Sequence, residues 1–231
     1  MHQEANNQLS PGHSTVATGA AAAAGAKVLR DTYRLLSATL LFSAVMAVGS
    51  AALGLPAPGL LLTLAGYFGL LFATHRLRNS GWGLLSVFGL TGFMGYTIGP
   101  MLGHFMALSN GPQLVATTMG VTGMAFFGLS WYARSAGAVD TRNWATFLIV
   151  GVLTAFGLGL AAIFFQMPAL SLAVSGVFVL LMCGLIMFET QNILRGGETN
   201  YIMATVSLFV SVFNLFTSLL HILGFMGGDD S

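Results

Sequence analysis

Charge is what this sequence has least of. Asp, Glu, Lys and Arg make up 6% of its 231 residues, against about 25% in an ordinary soluble domain. That scarcity excludes a fold with a water-facing surface, and a net charge of +1 offers no basic face for nucleic acid. There is one cysteine, Cys183, which excludes a disulfide framework and a multi-cysteine metal site. Flanked by Leu181, Met182 and Leu185, it reads as a small buried hydrophobe. The spacings HExxH, GxSxG, GxGxxG and the Walker loop are absent, so neither enzyme activity nor a cofactor is expected. Also missing is the apolar–polar alternation in strands of about ten residues that a membrane β-barrel needs.

What is there is oil. Hydrophobic residues make up 55% of the chain and the mean hydropathy is +0.82, which reads as an all-α integral membrane protein. Seven stretches come close to the roughly 20 residues that cross a bilayer as helix, with approximate limits 34–54, 58–75, 82–106, 113–133, 144–165, 169–193 and 201–225. The connectors at 54–57, 107–112 and 166–168 carry no charge. Those after the second, fourth and sixth spans carry Arg76 and Arg78, Arg134 and Arg142, and Arg195. With Lys27, Arg30 and Arg34 ahead of the first span, all eight basic residues fall on one side. The positive-inside rule then puts the N-terminus in the cytoplasm and, after an odd number of spans, Asp229, Asp230 and Ser231 outside. Residues 1–26 lack an apolar face and read as a disordered cytoplasmic tail, without the basic start and apolar run of a signal peptide; 27–231 read as one seven-helix membrane domain.

Thirty glycines, many of them inside the spans, indicate how the helices meet, because small residues allow close backbone approach where lipid provides no hydrophobic drive. Three stripes recur at helical spacing: Ser43/Ala47/Ala51, Gly92/Gly95/Gly99/Gly103 and Gly151/Ala155/Gly159. Pro100 removes a backbone donor inside the third span, so a kink is expected there.

Glu189, His104 and His221 are the charged or ionisable candidates inside spans, and such groups are functional candidates by default. Both histidines fall near the outer helix ends, where an interfacial position is ordinary, whereas Glu189 lies about 30 Å from the outer surface if its helix starts near 169. Gly196 and Gly197 can end that helix and Thr199 or Asn200 can cap the next, giving a hairpin centred near residue 198 with Glu189 level with Ser207. From there Ser207, Ser211, Asn214, Ser218 and His221 follow at spacings of 4, 3, 4 and 3, one face of a helix. Such a stripe serves either as hydrogen-bonding glue between helices or as the wall of a wet pathway, in which Glu189 would exchange protons.

The segments KVLRDTYRLLSATLLFSA (27–44), LPAPGLLLTLAGYFGLLF (55–72) and FETQNILRGGETNYIMATVSLFVSVFNLFTSLLHILGF (188–225) resemble the Bax-inhibitor, or transmembrane Bax-inhibitor-motif, family in its bacterial YccA-like branch. The resemblance spans about 27 to 225 and implies a seven-helix bundle in the bacterial inner membrane. It implies a partner, the FtsH membrane protease, which such proteins bind and restrain while a cytoplasmic N-terminal tail draws them in as slow substrates. More distant relatives are pH-sensitive calcium leaks, in which two aspartates on the last two helices share a proton and an arginine at the end of the second helix latches them. Carried over, those positions fall on Glu189, Ser211 and Arg76. The acid pair is broken, and a Glu–Ser pair keeps one titration while losing the coupling of two like charges. The expectation is a protease modulator with the tail as its handle. The alternative is a cation leak gated by Glu189 and lined by Ser207, Ser211 and Asn214, with H+ or Ca2+ meeting Glu189, and a purely structural scaffold is a third reading.

Overall fold

The computed structural model describes residues 11–135 and 141–227. These form α1 (Pro11–Ala52), α2 (Leu60–Leu77), α3 (Gly81–Met106), α4 (Gly111–Ser135), α5 (Thr141–Phe164), α6 (Pro168–Leu194) and α7 (Tyr201–Gly227), with no strand among the described residues. Each of the seven contains a stretch long and apolar enough to cross a membrane, so the protein is a seven-span helical membrane protein. Every helix end lies within three residues of its expected position except the start of α1.

α1 is 42 residues long, about 63 Å of helix, or twice the hydrocarbon thickness. Residues 11–26, expected as tail, are helical and continuous with the first span. Pro11 occupies the first helical position, where a missing N–H costs nothing, and the alanines that follow are the best helix formers. Helix propensity therefore carries α1 beyond the point where hydropathy ends. Residues 1–10 and 228–231, and so the expected positions of Asp229, Asp230 and Ser231, lie outside the described residues, as do residues 136–140 of the fourth connector.

α7 is the hub, packing against α1, α3, α4 and α6. α1 pairs with α3, α2 lies outside α3, and α5 lies outside α6. Phe209, Leu208 and Leu215 of α7 are fully buried with Leu36 of α1, Leu90 of α3 and Ile186 of α6. Large apolar side chains such as Leu61, Phe72, Phe127 and Phe164 are instead exposed, as lipid-facing residues are. At the arginine-bearing end of the bundle all three tryptophans, Trp82, Trp131 and Trp144, are exposed together with Tyr132 and Tyr201. They form an aromatic belt at the level where membrane meets water.

Two of the expected small-residue stripes face each other across α1 and α3. A Cβ at Gly95 would collide with the Ser43 carbonyl, and one at Gly99 with the Ser50 side chain, while Gly103 has Ala51 at 3.7 Å. The third stripe lies against α6, with Leu181 over Gly151 and Val174 3.7 Å from where a Cβ on Gly159 would sit. α3 runs through Pro100 to Met106 as one helix. Pro100 cannot donate to the carbonyl four residues earlier, that of Tyr96, and the Ser50 hydroxyl donates to it instead at 3.2 Å. The α6–α7 hairpin is tied down in a comparable way. Gly196 takes the left-handed φ of +74° that ends α6. Asn200 caps α7, its Oδ1 accepting from the Ile202 and Met203 amides at 3.0 and 3.2 Å. Its Nδ2 donates to the Arg78 carbonyl at 3.2 Å and to Asn79 Oδ1 at 2.9 Å, joining this turn to the α2–α3 turn.

Gly95→Leu should destabilise the detergent-solubilised protein by about 3 kcal/mol or more, because a backbone carbonyl cannot move aside as a side chain can. Gly120→Ala, with nothing within 4 Å, should leave thermal stability unchanged or slightly raised. Ser50→Ala should cost about 1 kcal/mol by orphaning the Tyr96 carbonyl.

Candidate functional site

Glu189 stands five residues before the end of α6, half-buried against α7. Its partner is Ser211, whose hydroxyl lies 3.3 Å from Glu189 Oε2 and 3.0 Å from the Ser207 carbonyl. One hydroxyl proton serves both acceptors, so each receives a shared bond. The hairpin count had set Glu189 level with Ser207, a full turn nearer the basic end. Helix side chains lean toward the N-terminus of their own helix. α6 and α7 run in opposite directions, so Glu189 leans away from the basic end, Ser211 leans toward it, and the two meet. Ser207 takes part through its backbone carbonyl.

Asn214, next along the stripe, folds back on its own helix, as does the adjacent Thr217. Asn214 Nδ2 donates to the Val210 carbonyl at 2.8 Å, and Thr217 donates to the Asn214 carbonyl at 3.1 Å. His221, expected at the interface, is half-buried and bonds across the helices, its Nδ1 2.8 Å from Ser175 Oγ of α6. Ser175 sits four residues after Ser171, to whose carbonyl it also bonds, and only the α6–α7 register reveals the pairing. His104 is exposed at the far end of α3, as an interfacial histidine should be.

Arg76 does not join the site. It is exposed in the last turn of α2, and α2 packs against α3 rather than against α6 or α7. No arginine forms an ion pair with Glu189 among the described residues. Nor do three His, Cys, Asp or Glu side chains come together there to hold a metal ion. Glu189 and Ser211 supply one carboxylate and one hydroxyl between two packed helices, which suffices for a hydrogen-bonded contact or for exchange of a single proton. Sequence reasoning also missed the stacking of Arg134 of α4 over the Tyr33 ring of α1, at 5.2 Å from its centroid.

The family model described as inhibitor of apoptosis-promoting Bax1 matches residues 25–228. A protein of Escherichia coli K12 named modulator of FtsH protease YccA is 48% identical over 88% of this chain and 92% of its own length. An inner membrane protein YccA of Escherichia coli O6:H1 matches to the same extent. An uncharacterised protein of Pseudomonas aeruginosa is 47% identical over 88% of this chain and 91% of its own.

Ser211→Ala should lower stability in detergent by about 0.5–1 kcal/mol, the usual scale of an interhelical hydrogen bond in a membrane protein. Ser207→Ala, which keeps the carbonyl, should cost less. Equal losses in the two variants would contradict the assigned pairing.

Proposed function

The chain belongs to the Bax1-I family, described as inhibitor of apoptosis-promoting Bax1, and from that membership we propose that it binds and restrains a membrane protease of the FtsH type. It is a multi-pass inner-membrane protein, in keeping with a relative named inner membrane protein YccA and with its own seven spans. The observation that carries the finer reading is the 48% identity to the modulator of FtsH protease, which runs nearly end to end through both chains.

In this reading the N-terminus is cytoplasmic, supported by eight basic residues and three tryptophans gathered at one end. The early part of α1 is then the segment that reaches the protease. Gly25 packs on the Ile193 and Leu194 carbonyls of α6 and Leu29 is buried, so α1 is anchored in the bundle from about residue 25 onward.

Removal of residues 2–22 should leave the bundle folded, slow the turnover of the chain in cells several-fold and reduce co-purification of the protease. If the full-length chain recovers no more protease than an unrelated seven-span protein does, the proposal fails. Glu189 supports a second reading as a proton-gated cation leak, because a carboxylate placed between membrane helices is costly to keep without a role. Reconstituted vesicles test it: Glu189→Gln should abolish the pH dependence of Ca2+ flux, and flux absent between pH 6 and 8 would dismiss the leak.

A further inference from the structure

At the basic end α1, α4 and α6 border an open cavity of about 620 Å³, lined by Leu29, Arg30, Tyr33, Arg34, Arg134 and Leu194 among others. Three guanidinium groups from two helices border it. The carboxylate beside them, Asp31, lies 3.9 Å from Arg30 Nε and 3.8 Å from Arg34 Nη1. These are exposed contacts of the kind worth little, and one carboxylate is shared between two cations. Among the described residues no carboxylate pairs with Arg134, which rests on the Tyr33 ring. The Tyr33 hydroxyl is itself buried without a hydrogen-bond partner. Three guanidinium groups thus meet the Tyr33 ring in one place, over a floor of leucine.

The cavity also lies at a telling depth. Arg134 is one turn along α4 from Trp131, which is 77% exposed and belongs to the aromatic belt. A ligand there would have its charge at headgroup level and its apolar part against lipid. The guanidinium fork matches phosphate oxygens in geometry as well as charge, and basic pockets between membrane helices are suited to anionic headgroups. A volume of about 620 Å³ falls within the usual range of small-molecule sites, about 300–1,000 Å³, and exceeds what a bare phosphate fills.

We propose that this cavity binds the headgroup phosphate of an anionic phospholipid, with Arg134 at its centre and Arg30 and Arg34 closing over it. Such a lipid would join α1 to α4 and α6 at the basic end. The site is independent of the protease reading, since it requires only the lipid in which the protein resides.

The test is native mass spectrometry of the full-length protein in non-ionic detergent, titrated with phosphatidylglycerol, cardiolipin or phosphatidylcholine. One anionic lipid should be retained after phosphatidylcholine is lost. Arg134→Gln should weaken that retention about tenfold, while Arg76→Gln/Arg78→Gln, which changes two arginines of the same end outside the cavity, should not alter it. Should Arg134→Gln fail to fold, Arg30→Gln/Arg34→Gln carries the same test on side chains 61% and 74% exposed. Inorganic phosphate, added alone, should neither displace the lipid nor raise the melting temperature beyond an equal ionic strength of chloride. The proposal is overturned if phosphatidylcholine is retained equally, if the α2 arginines matter as much as Arg134, or if inorganic phosphate occupies the site with the same arginine dependence.

Discussion

Backbone lies on backbone where Gly95 of α3 meets the Ser43 carbonyl of α1, and the rest of the bundle depends on that approach. Inside lipid the hydrophobic effect does not bring helices together, so contact area and satisfied polar groups must. The approach sets Ser50 within reach of the carbonyl that Pro100 leaves without a donor, which lets α3 continue through a proline instead of breaking. It also makes α1 and α3 a closely packed pair, and α7 packs against both. A side chain at Gly95 would prise that pair apart and remove the surface on which the central helix rests.

α7 then carries a double burden. Its apolar face fills the core through Phe209, Leu208 and Leu215, and its polar face meets α6 at two levels, Glu189 with Ser211 and Ser175 with His221. Asn200 fixes the start of the helix by using both ends of its amide, one on α7's own free amides and the other on the α2–α3 turn. Register along the hairpin is thus set at the turn and checked twice along its length.

The spans were legible to within three residues because lipid imposes composition directly on each segment, and because Gly196 and Asn200 mark the turn with residues suited to a left-handed φ and a helix cap. The matching glycine and serine–alanine stripes were visible as well. Three features were not. The length of α1 follows from alanine's helix propensity, which hydropathy does not measure. The partner of Glu189 depends on which way side chains lean, so counting residues evenly from the turn chose Ser207 over Ser211. The isolation of Arg76 follows from α2 lying outside α3, a matter of which helices are neighbours that no local pattern encodes. The same holds for Arg134 and Tyr33, about a hundred residues apart and stacked.

The chemistry of position 211 bears on what the α6–α7 contact can do. Two carboxylates in close quarters oppose each other once both are ionised, and that repulsion can drive helices apart when a shared proton leaves. A carboxylate beside a serine has no such repulsive state, because the neutral hydroxyl can donate to an ionised Glu189 or accept from a protonated one. Arg76, remote on α2, provides no cation to exchange for the lost partner. With Leu208 and Leu215 fully buried in the same helix, the pairing adds one shared hydrogen bond to an apolar contact between α6 and α7. A contact of that kind gives the two helices no electrostatic push to separate when a proton leaves.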